Sequence, residues 1–365
     1  MRVERDIAGF AIPFSIGILL TMQAGPAFYD HAGIIHLISL TFCATAIWTL
    51  SRGQLNSDAW IRAVTAAAAC SCGILTVLVH TAFPYDSGAS VFETYAVSFG
   101  TGMQETIDTI VFKSDRTGAI IKALLTGERS SLPTDVTEAF RDSGASHILA
   151  LSGLHLGIIY GLITRALSVF GNSPARKRLR SLTAIMSCGF YTMATGAGDS
   201  ITRAFIFIVL GEVSRYTGRS RSLGQILFAS LIIQLTFDPV SICSIGFQLS
   251  YAAITGIAFI YPRLRTFWPK EDRKSGSAKH IWESAALSIS CQLTTGPLAY
   301  LYFGTFPRHF LLTNLISLPL TGAIIPCALL TMILSVPGCC PPFLISLTEW
   351  LVALLTWSLE VISTM

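Results

Sequence analysis

Long stretches without a charged residue dominate this sequence and constrain its fold more than any other feature. Nine windows of at least 16 residues contain no Asp, Glu, Lys or Arg. They are 7–29, 31–51, 63–85, 143–164, 181–198, 222–237, 239–262, 284–307 and 309–348. About 20 apolar residues in helical conformation cross the hydrocarbon core of a bilayer, where backbone polar groups must be satisfied internally. The windows therefore predict an all-α, polytopic transmembrane helical bundle.

Two further segments have the length of a span but carry charge. Residues 200–217 contain Arg203 and Glu212, and residues 342–362 contain Glu349. Adding them to the nine windows predicts about eleven spans. Only 13% of the residues are charged, against about one quarter in a soluble domain, which excludes a large soluble domain. Pro319, Gly322 and Pro326 interrupt the longest window and predict a broken or re-entrant helix there.

The distribution of Lys and Arg predicts how the spans are oriented. With the N-terminus in the cytoplasm and one crossing per span, most of the 25 basic residues fall on cytoplasmic loops, in agreement with the positive-inside rule. The C-terminus is then external. The chain divides into an N-terminal three-helix membrane segment (1–83), an external amphipathic connector (84–145) and a transmembrane domain (146–365).

The connector carries two helical patterns. In the first, Ile107, Ile110 and Val111 share one face, which predicts an amphipathic helix at the membrane surface. The second follows Pro133, places Val136 and Phe140 on one side and ends near Gly144, where a left-handed cap is easily adopted.

Polar side chains interrupt the fourth window. Ser152 and His155 are three residues apart and share a helix face, with His147 about two turns away on a similar face. Such groups in a span usually face the interior of the bundle, because lipid offers them no partner. The alternative is that they only bond to neighbouring helices.

Four separated motifs resemble the ComEC-type competence protein family. The first runs from Leu125 to Pro133 and continues from Ala139 to Gly157 as AFRDSGASHILALSGLHLG. The second is GDSITRA at 198–204. The third is Asp238-Pro239 followed by GFQLSYAA at 246–253. The fourth is Phe306-Pro307 followed by NLISLPL at 314–320.

This resemblance implies a channel for single-stranded DNA in the bacterial inner (cytoplasmic) membrane, used in natural transformation. It also implies partners that deliver the DNA and a cytoplasmic motor protein, and it leaves a homo-oligomer open. Members of this family commonly carry an oligonucleotide-binding-like domain and a metallo-β-lactamase-like domain. Neither is found in these 365 residues, so we expect no enzyme activity in this chain and any nuclease step to come from another polypeptide.

A path for DNA needs hydrogen-bond donors and positive potential, because each nucleotide carries a negative charge. The predicted path residues are His147, Ser152, His155, Arg203, Gln248, Gln292 and Asn314. The alternatives are an ion pair of Arg203 with Asp199 or a position at the membrane interface, and simple interhelical hydrogen bonding for Gln248 and Asn314. Glu349 is expected to pair with a basic group, to respond to a proton gradient or to pack as a neutral acid.

Two other functions are compatible with single features of the sequence. Ser152 and His155 have the residue types of an intramembrane serine peptidase, although the GxSxG context is absent. An interruption around Pro319 would suit a secondary transporter of a small solute. The nine cysteines lack CxxC spacing, and the sequence predicts neither a metal nor a cofactor.

Overall fold

The computed structural model describes residues 2–24, 31–51, 57–83, 91–171, 173–218, 221–267, 276–304 and 308–365. Within these ranges the chain is helical and has no β-strand, which confirms the all-α prediction. The chain forms two compact units, one of Met1–Gly88 with Thr217–Gln248 and the other of Ala89–Tyr216 with Leu249–Met365.

The described helices follow one another with short connections. They are α1 (Arg2–Gln23), α2 (Ala32–Ser51), α3 (Asp58–Ala82), α4 (Val91–Thr109), α5 (Asp115–Thr126), α6 (Thr134–Asp142), α7 (Ser146–Leu149), α8 (Gly153–Ser168), α9 (Pro174–Ala194), α10 (Asp199–Tyr216), α11 (Leu223–Phe237), a 3-10 helix (Pro239–Cys243), α12 (Ile245–Thr255) continued by a π-helix (Gly256–Ile260) and α13 (Tyr261–Arg265), α14 (Gly276–Phe303), α15 (Phe310–Ser335) and α16 (Pro342–Ser363).

Six of the described helices are long and apolar enough to cross a bilayer. These segments are Asp6–Gln23, Ala32–Leu50, Asp58–Ala82, Ile245–Arg265, Phe310–Ser335 and Pro342–Ser363. The predicted number of about eleven spans is not confirmed. Several of the remaining windows form shorter helices, since α8 has 16 residues and α11 has 15.

The fourth window is not one helix. It forms α7 and α8, separated by Ala150 and Ser152 in extended backbone conformation. Serine favours the position just before a helix, where its hydroxyl binds a free backbone amide. The prediction that His147 and His155 lie on one face of a single helix is therefore wrong.

The segment after Arg308 also differs from its prediction. Helix α15 runs without interruption for 26 residues through Pro319 and Pro326, so the broken helix predicted there is wrong. Proline is tolerated in apolar helices when neighbouring elements satisfy the freed backbone groups, and α15 packs against α14 and α16. The break comes instead at 336–341, where Gly338 adopts a positive φ of 69°.

Most of the helical pattern in the connector is confirmed. Ile107 and Ile110 are buried, and so are Val136 and Phe140 on α6, with Gly144 at a φ of 81°. Val111 is 88% exposed, so its predicted place on the apolar face is wrong. The reason is that α4 ends at Thr109 and helical periodicity does not continue to Val111.

Glycines bring α1 and α3 together in the first unit. A Cβ atom built on Gly17 would overlap the carbonyl oxygen of Cys70, and one built on Gly73 would overlap that of Phe14. The two helices therefore meet backbone to backbone, as small residues allow between membrane helices.

The second unit has a continuous apolar core to which α4–α10, α15 and α16 contribute. Helices α8, α9 and α10 pack against one another, α9 running opposite to the other two. Gly153 and Tyr160 of α8 lie beside Ala204 and Glu212 of α10, so these two helices are parallel and keep a nearly constant register. This arrangement places the polar residues of α8 and α10 described below.

Candidate functional site

Ser152 caps α8 and binds His155. The Ser152 hydroxyl accepts a hydrogen bond from the backbone N–H of Leu154 at 3.3 Å and lies 3.0 Å from Nδ1 of His155. The Ser152 backbone N–H donates to the same Nδ1 at 3.2 Å. This is a reciprocal capping box in which histidine replaces the usual Glu or Gln. Because Nδ1 accepts these bonds, the proton of the neutral ring lies on Nε2.

The Nε2 atom of His155 is buried and has no hydrogen-bond partner within the described part of the chain. The whole residue is 1% exposed. A buried donor without a partner is costly, so it is usually retained for a reason. His155 therefore offers one N–H donor to an acceptor that the described residues do not supply.

His147 has a different environment. Its Nδ1 lies 3.1 Å from the carbonyl oxygen of Gly144, and the residue is exposed. His147 and His155 belong to different helices, α7 and α8.

Arg203 is buried at the start of α10, with only 4% of its surface exposed. Its Nη2 donates to the carbonyl oxygen of Ser200 at 3.3 Å, and its guanidinium carbon lies 5.4 Å from the centre of the Tyr251 ring. This is a cation–π contact, which partly compensates the buried charge. Nε and Nη1 have no hydrogen-bond partner among the described residues.

A polar face of α15 contains three more such atoms. They are Oδ1 of Asn314, Oγ of Ser317 and Oγ1 of Thr321, all buried and without a partner among the residues that the structure describes. Their spacing places Ser317 and Thr321 one turn apart on one face. Hydroxyls in helices usually donate to the carbonyl four residues earlier, as Thr331 and Thr348 do here.

We call His155, Arg203, Asn314, Ser317 and Thr321 the unpaired polar set. They lie on three helices of the second unit, and α8 packs against both α10 and α15. Three of these residues, His155, Arg203 and Asn314, carry N–H donors, and Ser317 and Thr321 carry hydroxyl groups. Such a combination is suited to bind oxygen acceptors, particularly anionic ones.

Contacts between helices connect the four motifs identified in the sequence. Thr313, next to Asn314, donates to the carbonyl oxygen of Ser143 at 2.7 Å. The hydroxyl of Ser200 donates a hydrogen bond to that of Ser250 at 3.2 Å. Ser250 immediately precedes Tyr251, whose ring contacts Arg203. The motifs are thus joined through residues adjacent to the unpaired polar set.

Gln248 and Gln292 have other surroundings. The Gln248 side chain donates to the carbonyl oxygen of Ile242 at 2.9 Å within the first unit, so it bridges the turn before α12. Gln292 is half-buried on α14. Glu349 on α16 accepts a hydrogen bond from the backbone N–H of Lys113.

Sequence reasoning missed Tyr251, Ser317 and Thr321. The last two could have been found, because Thr313, Ser317 and Thr321 repeat a hydroxyl every four residues in an apolar helix. The approach of Tyr251 to Arg203 depends on tertiary packing and left no such pattern. Within the described ranges, no group of three or more His, Cys, Asp or Glu residues could hold a metal ion.

Comparison with known proteins identifies several relatives. The chain is 25% identical over 252 residues to the uncharacterized protein YcaI of Escherichia coli, covering 66% of this chain and 33% of that protein. It is 26% identical over 218 residues to ComE operon protein 3 of Bacillus subtilis, covering 58% and 25% of the two chains. It is 27% identical over 219 residues to competence protein ComA of Neisseria gonorrhoeae, covering 58% and 30%.

The aligned part is thus a quarter to a third of each of these relatives. No solved structure matches the chain. The family described as "Competence protein" matches residues 124–365, a range that contains all five members of the unpaired polar set. With two thirds of its length in that match, this chain belongs to the competence protein family.

Proposed function

We propose that this chain forms the membrane channel through which single-stranded DNA crosses the cytoplasmic membrane during natural transformation. The observation that carries the proposal is the pair of buried, unsatisfied donors on neighbouring helices, Nε2 of His155 on α8 and Nε and Nη1 of Arg203 on α10. The matched family and two relatives whose names refer to competence or a ComE operon support a role in DNA uptake.

The donors suit the chemistry of this substrate. A single strand carries one negative charge per nucleotide, and its phosphate oxygens are acceptors for N–H groups. The cation of Arg203 lowers the electrostatic cost of a phosphate between apolar helices, while His155 adds a donor without adding a charge at neutral pH. The side chains of Ser317 and Thr321 offer further hydrogen bonds along α15.

The channel would act with other proteins. A partner delivers the strand from outside, a motor protein pulls it on the cytoplasmic side, and a nuclease on a separate polypeptide removes the second strand. Several copies of the chain in one assembly are compatible with this proposal.

The distance between Ser152 and His155 favours one other candidate, an intramembrane serine peptidase. Against it, the lone pair of Nδ1 is shared between the hydroxyl and the amide of Ser152, which weakens it as a general base. Covalent labelling of Ser152 by a serine-reactive phosphonate would support the peptidase. The secondary-transporter function was suggested by a helix interrupted around Pro319, and α15 is continuous there.

Deletion of the gene tests the channel directly. Cells without the chain should bind fluorescent DNA at their surface but fail to bring it into the cytoplasm, and an intact copy of the gene should restore import. Normal import of labelled DNA in the deletion strain would refute the proposal.

A further inference from the structure

A second polar site lies at the opposite end of α8 and α10 from the unpaired polar set. A cleft of about 580 Å³ opens there between the second half of α8, the start of α9 and the end of α10. Five basic side chains and one acid line it. The basic residues are Arg165, Lys177, Arg178, Arg180 and Arg215, and the acid is Glu212.

The acid in this cleft is fully engaged by its neighbours. Glu212 is 8% exposed, and its carboxylate accepts hydrogen bonds from the hydroxyls of Tyr160 and Ser181, the latter at 2.6 Å. Arg215 donates to the same carboxylate at 2.8 Å and also to the Tyr160 oxygen at 2.8 Å. These bonds tie α8, α9 and α10 together and hold Arg215 at the wall of the cleft.

Two of the other cations, Arg165 and Lys177, are not paired with Glu212. Within the part of the chain that the structure describes, Arg165 and Lys177 have no ion-pair partner, and both side chains are exposed. Arg178 lies over the Tyr216 ring, 5.3 Å from its centre, and that tyrosine is 69% exposed. Cations held this close repel one another, and a bound anion relieves the repulsion.

Positive charge next to an exposed aromatic ring is characteristic of sites that bind single-stranded nucleic acid, where the cations contact phosphates and the ring stacks on a base. The volume is sufficient for a nucleotide, since small-molecule sites occupy roughly 300–1,000 Å³. In the orientation that the sequence predicts from the positive-inside rule, the basic residues of α9 face the cytoplasm.

We propose that this basic cleft binds the phosphodiester backbone of single-stranded DNA where the strand leaves the membrane. Lys177, Arg178 and Arg165 contact phosphates, Tyr216 stacks on a base, and the Glu212 network keeps the cleft open. This inference rests on the proposed function for the identity of the strand. The site itself is separate from the unpaired polar set.

Equilibrium binding tests the inference without requiring transport. The full chain in nanodiscs of phosphatidylcholine is titrated against a fluorescein-labelled 20-nucleotide oligothymidylate, and anisotropy gives Kd at several salt concentrations. The variant K177A/R178A should bind at least tenfold more weakly. Its salt slope should fall by about 1.4, because each phosphate contact to a single strand contributes about 0.7.

Two matched variants control for folding and for net charge. K177R/R178K keeps both charges and should bind within about twofold of the original chain. K113A/R308A removes two exposed cations that lie outside the cleft and should also bind within about twofold. Y216A should weaken oligothymidylate binding about fivefold and leave an abasic oligonucleotide unaffected.

Equal affinity of K177A/R178A and the original chain would overturn the inference. So would a cleft that takes up anionic lipid headgroups but not the oligonucleotide, measured with nanodiscs containing phosphatidylglycerol. Failure of the proposed function gives a different result, because a deletion strain that still imports DNA says nothing against oligonucleotide binding that depends on Lys177 and Arg178.

Discussion

Gly153 and Ala204 face each other where α8 meets α10, such that a Cβ atom built on Gly153 would lie 3.4 Å from the Cβ of Ala204. The contact joins the residue after Ser152 to the residue after Arg203. It therefore sets the separation between the capped start of α8 and the buried guanidinium of α10, and several predictions about the site depend on it.

The effect of a substitution at Gly153 should depend on the size of the new side chain. G153A adds one methyl group at an ordinary van der Waals distance and should leave stability and DNA uptake unchanged. G153L should push α10 away, at a cost of about 1–3 kcal/mol, and should reduce uptake. Thermal unfolding in detergent and transformation frequency measure the two effects. A leucine variant with normal stability would show that the helices are not in contact there.

Substitutions at Arg203 should separate charge from packing. R203A should reduce import of labelled DNA at least tenfold, which corresponds to about 1.4 kcal/mol for one lost charged contact. R203K should retain part of the import, because it keeps the charge but loses the planar stacking on Tyr251. Immunoblots of membranes check that both variants are inserted. R141A is the control, since Arg141 is an exposed arginine whose ion-pair partner within the described ranges is the neighbouring Asp142.

Two variants of His155 should distinguish its capping role from its donor role. In H155Q the amide oxygen can still accept from the Ser152 backbone N–H, so the cap is kept, but the amide NH2 does not occupy the position of the imidazole Nε2–H donor. H155A loses both and should be less stable than H155Q by about 1 kcal/mol. DNA uptake should fall in both variants. Normal uptake in H155Q would remove the Nε2 donor from the proposed path.

Replacing Gly17 by any residue with a side chain should destabilise the fold. In G17A the new methyl group would collide with the carbonyl oxygen of Cys70, which forces α1 away from α3 and should cost about 1–3 kcal/mol. G9A is the matched control on the same helix, because a Cβ on Gly9 meets nothing within 4 Å. Thermal unfolding of the two variants compares them, and equal melting temperatures would contradict the close crossing.

The loop after α5 should be sensitive to acid. Hydrogen bonds from the hydroxyls and backbone amides of Ser130 and Ser131 hold the pKa of the Glu128 carboxyl below its ordinary value. A lowered pKa in the folded state means that the charged carboxylate stabilises the fold at neutral pH, and that this contribution is lost as pH falls through the lowered pKa. E128Q should therefore melt lower than the original chain at pH 7, and the difference should shrink as the pH falls through the lowered pKa of Glu128.

The sequence predicted the helical class and most of the buried connector, because apolar periodicity survives in α4 and α6. It did not predict the break before Ser152, since a short local cap is hidden inside an uncharged window. The prolines of α15 predicted a break where the helix is continuous. The reason is that neighbouring helices decide whether a helix continues past a proline.

Part of the candidate site was also predictable. His155, Arg203 and Asn314 were identified because polar groups in apolar windows are unusual. The sequence did not predict the contact of Arg203 with Tyr251 or the hydrogen bonds around Glu212, because each joins residues that are distant in sequence. The sequence shows the basic residues of the cleft only as separate positions, and the packing of α8, α9 and α10 brings them together.

Pro319 and Pro326 also affect which polar groups α15 presents to its neighbours. Each lacks a backbone N–H, so the carbonyl oxygens of Leu315 and Gly322 cannot receive the hydrogen bond that a regular helix would supply. The two oxygens lie on one face, about 10 Å apart along the helix axis, and Ser317 and Thr321 lie on the opposite face. Polar groups therefore lie on both sides of this stretch of an otherwise apolar helix, and the elements packed on each side have to offer them partners.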